Sequence, residues 1–174
     1  MNDATLMAIL RIIHIVGGVF WVGSALFVAA ILMPSMQAVG PSGGQLMEHM
    51  VQVRRLPVRL MVAMLLVVLS GIALYWKDSD GFQSAWMRSG PGTVFGLGAI
   101  FGIAGAAVGM ATSAPAARRL GAVTAAIKAR GGPPTAEEQA EIQRLQARMR
   151  GAARLVAVLL VLATAAMAVA RYVP

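Results

Sequence analysis

Four apolar runs, each long enough to cross the hydrocarbon of a bilayer, constrain this chain before any single residue does. They cover residues 6–33, 56–76, 94–117 and 152–173, and a spanning helix needs about 20 predominantly apolar residues. With 58% of its 174 residues hydrophobic and 13% charged, a soluble domain could not hide this much apolar surface. Lipid is therefore expected to serve as solvent for part of it. No stretch shows the period-2 alternation of a barrel strand. The expectation is an all-α, integral membrane four-helix bundle, a single transmembrane domain over residues 1–174. The first run lacks the basic leader and small-residue cleavage site of a removable signal, so it is expected to be retained.

The distribution of positive charge predicts an orientation. Of 15 Lys and Arg residues, Arg11, Lys77, Arg88 and Arg171 fall at one end of the spans. The remaining eleven, from Arg54 to Arg59 and from Arg118 to Arg154, fall at the other. The positive-inside rule then puts the eleven in the cytoplasm and both termini outside, as in a multi-pass protein of a bacterial-type inner membrane. Because these residues flank apolar spans, membrane orientation explains the net charge of +8 and no nucleic-acid partner is expected.

Between the spans, residues 34–44 read as a loop and 45–55 as a short amphipathic helix at the cytoplasmic surface. Residues 118–151 read as a cytoplasmic helical hairpin between the third and fourth spans, broken at Gly131-Gly132-Pro133-Pro134. Its apolar stripes are Leu120, Val123 and Ile127 on one arm and Ile142, Leu145 and Met149 on the other. Thr135 and Glu138 form a capping box at the start of the return arm. Small residues allow close helix approach in lipid. The first span has such a face in the stripe His14, Gly18, Trp21, Ala25, and the third has one in Gly98, Gly102, Gly105 and Gly109.

Chemistry points to the first span, whose ionisable residues Arg11 and His14 lie three apart on one helical face. Ionisable groups within a span are costly and turn toward packed protein or a water-filled cavity. Two readings of His14 stand: a ligand, or a structural imidazole bonded to a backbone carbonyl or a neighbour. Met167 on the fourth span falls at a similar depth, and thioether plus imidazole suits haem iron or Cu(I). Methionine also fills gaps between helices, the other fate open to it. His14 and His49 cannot share an iron within one chain. The first helix continues about 27 Å beyond His14 before His49 follows. A second soft-ligand cluster, Met33, Met36, Met47, His49 and Met50, admits a copper reading, against which stands an amphipathic surface helix with methionine on its buried face. With no cysteine there are no disulfides or thiolate sites. Asp78 and Asp80 read as turn residues beside Gly81, and no hydrolase, phosphate-loop or zinc-protease motif occurs.

The run Ile13-His14-Ile15, with Trp21-Val22-Gly23, Leu26-Phe27 and Pro34, resembles the first helix of the CopD-like membrane proteins. That grouping includes copper-resistance protein D and, more distantly, the HemJ-type protoporphyrinogen oxidases. Arg54-Arg55 and Leu69-Ser70-Gly71 resemble the second helix. The likeness covers residues 6–76, and the remainder matches in helix count. The resemblance implies that His14 ligates haem b or a metal in a redox role. Arg11 then lies near a propionate or other anion, with Trp21 and Met167 beside the cofactor. It does not extend to porphyrinogen oxidation, because the third span lacks the lysine and histidine of the HemJ type. Two alternatives remain. One is a non-catalytic subunit of a larger respiratory or photosynthetic assembly, meeting its partners through the glycine stripe or the hairpin. The other is copper transport through Met33, Met36 and His49.

Overall fold

The computed structural model describes residues 2–174, and no strand occurs among them. In chain order the helices are α1 (Asp3–Ala38), α2 (Pro41–Gln52), α3 (Leu56–Asp78), the single turn α4 (Ser84–Met87), α5 (Gly90–Arg130) and α6 (Ala136–Tyr172). Four of these, α1, α3, α5 and α6, are long and apolar enough to cross a membrane. Their starts carry the expected chemistry. The Asn2 side chain accepts from the Thr5 amide at 2.8 Å, and the Ser89 hydroxyl accepts from the Gly92 amide at 3.2 Å. Thr135 and Glu138 complete the capping box.

The loop expected over residues 34–44 is mostly helix, as α1 continues through Pro34 to Ala38 and α2 begins at Pro41. The third span likewise continues unbroken past Pro115 to Arg130. A proline inside a helix removes a donor and strikes the carbonyl one turn back. Each is preceded by a π-helical turn, Val28–Leu32 before Pro34 and Gly109–Ser113 before Pro115. The wider turn gives the ring its room, so the helix continues where it would otherwise stop.

Two antiparallel pairs, α1 with α3 and α5 with α6, make the most extensive contacts, and α3–α5 and α6–α1 contacts join them. Glycine sets both close approaches. A Cβ at Gly17 would meet Val67 Cγ2 at 3.0 Å, whereas Gly18, the expected contact, has nothing within 4 Å. The stripe on α5 divides in the same way. Gly98 lies against Met167 and the Ala163 carbonyl, and Gly105 against Leu160, while Gly102 and Gly109 meet nothing within 4 Å. Half of that stripe is therefore occupied by the chain's own last helix. The long helices meet in a buried layer of Trp21, Ala63, Met64 and Leu160, with Ala106 and Val156 against it. Outward-facing side chains are as apolar as the core: Val19 is 70% exposed, and Leu69 and Ile100 are each 62% exposed.

Beyond this layer α5 and α6 continue as the two arms of a helical hairpin. Val123 is buried there, with Leu120, Ile127, Ile142, Leu145 and Met149 half-buried. The chain reverses at Gly131, which takes a left-handed conformation (φ 72°) suited to a helix C-terminus. Arg119 pairs with Glu141 at 2.6 Å. Arg130 grips both carboxylate oxygens of Glu138 at 2.7 Å each. That grip, with a further hydrogen bond from the Thr135 amide, pulls the Glu138 carboxyl from its ordinary 4.5 down to about 2.

Two outcomes are expected. Gly98→Ala forces α5 and α6 apart and lowers stability by about 1–3 kcal/mol. Gly102→Ala, facing open space, leaves the thermal midpoint in detergent unchanged. At the hairpin tip, a depressed carboxyl pKa adds stability that is complete above the unfolded value and lost as pH falls through the folded one. Hydrogen exchange at the Thr135 amide, corrected for intrinsic chemistry, is expected to be flat above about 4.5 and to accelerate as pH falls toward about 2. Glu138→Gln removes that step.

A candidate cofactor cavity around His14

Where the four long helices diverge above the Trp21 layer they enclose a cavity of about 590 Å³. Each helix contributes side chains at helical spacing. Arg11, His14 and Trp21 come from α1, Tyr75 and Asp78 from α3, Phe95, Ala99 and Ile103 from α5, and Met167 and Arg171 from α6, with the backbone of Gly71 and Gly102 beside them. Trp21, buried in the core, closes the inner end. The charged residues belong to the ends of their helices and mark the mouth.

The His14 ring lies across α3 at a point only glycine permits. A Cβ on Gly71 would stand 2.8 Å from His14 Cε1. Nδ1 lies 2.9 Å from the Val67 carbonyl oxygen and 3.3 Å from Ser70 Oγ. A carbonyl only accepts, so in the neutral ring the proton sits on Nδ1 and is donated to Val67. The buried Ser70 hydroxyl donates to the Leu66 carbonyl, which leaves its oxygen facing Nδ1 as a second acceptor. Nε2 keeps its lone pair, on a side chain that lines the cavity. One nitrogen on a backbone carbonyl and the other bare is the arrangement found in metal-ligating imidazoles. The structural reading of His14 is met at Nδ1, and Nε2 is left free of protein partners.

Arg11 approaches Asp78 at 3.6 Å, a partly exposed pair of the kind that contributes little to stability. Arg171 has no carboxylate partner among the described residues. With these groups charged, the mouth carries an excess of positive charge. Its rim is aromatic. Tyr75 packs edge-on to Trp86 at 5.2 Å and tilted to Phe82 at 6.2 Å, and donates its hydroxyl to the Gly92 carbonyl at 3.1 Å. Met167 lines the cavity and also fills the contact left by Gly98.

Arg11, His14, Trp21 and Met167 therefore lie around one space. Met33, Met36 and His49 do not join them. The two methionines are half-buried near the far end of α1, and His49 is exposed on α2. None of the three lines this cavity or a second one of about 360 Å³. Among the described residues, no group of three or more His, Cys, Asp or Glu could hold a metal ion. Asp78 is more than a turn residue: it ends α3 and pairs with Arg11, while Asp80, Gly81 and Phe82 adopt the left-handed backbone of the turn. Ser70, Tyr75 and Arg171 were also missing from the sequence-based site. The signal for Asp78 was present, since a lone arginine in an apolar run calls for a carboxylate at the same depth. No family model, curated protein or solved structure matches the chain. The resemblance to CopD-like proteins stands on the quoted residues alone.

The imidazole tautomer is directly measurable. Histidine ¹⁵N shifts in the membrane-reconstituted protein are expected to show His14 protonated at Nδ1 and bare at Nε2. Gly71→Ala displaces the ring and abolishes that signature. An Nε2-protonated ring in the parent protein contradicts this geometry.

Proposed function

We propose that this chain is a CopD-like, multi-pass protein of a bacterial-type inner membrane that binds haem b through His14 and acts in electron transfer. The four long helices form a transmembrane bundle whose outward Val19, Leu69 and Ile100 meet acyl chains. The hairpin with Arg154 beside it, and Arg54, Arg55 and Arg59 around the start of α3, carry eleven of the fifteen Lys and Arg residues, and the positive-inside rule puts them in the cytoplasm. The His14 cavity then opens on the exoplasmic side, beside both termini.

The observation that carries this reading is a single cavity lined by an imidazole with one nitrogen already engaged, a thioether, and guanidinium groups at its mouth. Its volume falls within the range of roughly 300–1,000 Å³ common to cofactor sites. The residues fit a flat, apolar group bearing anionic substituents at one edge. His14 Nε2 would hold the iron, with the ring fixed and made more basic by the Val67 carbonyl. Arg11 and Arg171 would offset the charge of anionic substituents, Trp21 would close the inner end against water, and Met167 would offer a thioether from the opposite helix pair. Haem held there would supply one-electron chemistry. A bare copper ion is the weaker fit, because one imidazole and one thioether leave most of the apolar space unused.

Haem reconstitution tests the proposal. The purified protein is expected to take up hemin and show a Soret band that His14→Ala abolishes at equal helicity. Arg11→Ala with Arg171→Ala weakens hemin affinity about tenfold or more, as loss of a charge-assisted contact requires. A Soret band untouched by His14→Ala, or no uptake by the parent protein, overturns the assignment.

A further inference from the structure

A second cavity of about 360 Å³ lies at the opposite end of α1 and α3, lined by Phe20, Ser24, Phe27, Val28, Met50, Arg54, Leu56 and Arg59. Its composition is divided by position. Phe20, Phe27 and Val28 lie three or four residues on either side of Ser24, so the four share one face of α1, a strip apolar but for the serine. Phe20 and Phe27 are about half exposed, which makes the strip a groove on the outer surface. At its end stand Arg54 and Arg59. Among the described residues neither pairs with a carboxylate. The chain brings them together by turning sharply at Arg55, which takes the left-handed conformation (φ 51°) between α2 and α3. Met50, from α2, closes the side.

We infer that this groove binds an anionic phospholipid of the inner leaflet, its phosphate between Arg54 and Arg59 and one acyl chain along Phe20, Phe27 and Val28. The inference rests on the transmembrane part of the reading above, and is independent of haem. A soluble anion would leave the apolar strip uncovered, and a zwitterionic lipid would bring a cation of its own beside the two guanidinium groups. An anionic amphiphile satisfies both. Basic pockets between spanning helices on the cytoplasmic side are general sites for such headgroups, and arginine presents the planar donor fork that phosphate accepts.

The test uses the full chain reconstituted in vesicles of equal phosphatidylglycerol and phosphatidylcholine, with resistance to carbonate extraction confirming insertion. Native mass spectrometry after mild detergent release then counts retained lipid. Retained phosphatidylglycerol is expected to exceed phosphatidylcholine by at least about fivefold, and Arg54→Gln with Arg59→Gln to remove the excess. Val28→Trp, which fills the groove and leaves the charges in place, is expected to remove it too. Arg144→Gln with Arg148→Gln, on the hairpin, preserves it. Inorganic phosphate does not displace the lipid. An inserted protein that retains both lipids equally, or loses its preference equally with the hairpin variant, overturns the site alone. Displacement by inorganic phosphate overturns the lipid assignment in favour of a free anion. A chain that carbonate extracts overturns the transmembrane reading and this site with it.

Discussion

A hydrogen bond between an imidazole on α1 and a backbone carbonyl on α3 organises the functional half of this molecule. The His14 proton donated to Val67 is an interhelical polar contact in an apolar setting, worth about 0.6–2 kcal/mol. Its structural consequences exceed that energy. It holds α1 and α3 in the register that places Arg11 opposite Asp78, and it settles which nitrogen of the ring stays free. Gly17 and Gly71 make it possible. Gly17 admits Val67, and Gly71 admits the ring, so the two helices approach where larger residues would hold them apart.

The two ends of the helical layer are built for different purposes. Toward the chain termini the helices diverge around the His14 cavity, and the aromatic residues Tyr75, Phe82 and Trp86 form its rim. Toward the hairpin they converge on Trp21, Met64 and Leu160, and α5 and α6 continue past the layer as paired arms. The π-helical turns before Pro34 and Pro115 allow both long helices to extend through a proline. They connect the apolar region to the charged one within one continuous helix.

Helix class, the four long apolar elements and the hairpin were legible because periodicity, length and capping chemistry all pointed the same way. Thr135 with Glu138 announced a helix start, and Gly131 a stop. Pro34 misled, since the rule that proline ends a helix takes no account of a widened turn upstream. Gly18 misled for a related reason. Small residues mark a face only to within one position, and Gly17 is the one in contact. Within the site, Arg11 and His14 were legible as rare ionisable residues of an apolar run. Asp78 was signalled by the lone Arg11, but Ser70 and Arg171 were not legible, because their roles depend on how α3 and α6 are set against α1, and sequence fixes helix ends and register poorly.

The central claim is that an accessible cavity lies inside a ring of helices whose outer faces are apolar and exposed. Adjacent residues of α5 separate these environments, since Ala99 lines the cavity and Ile100 points outward. The chain has no cysteine, so each substitution provides a single thiol. A membrane-impermeant thiol reagent applied from the exoplasmic side should modify Ala99→Cys rapidly, with hemin protecting it, and leave Ile100→Cys untouched. Rapid labelling of Ile100→Cys with Ala99→Cys inert would contradict the account.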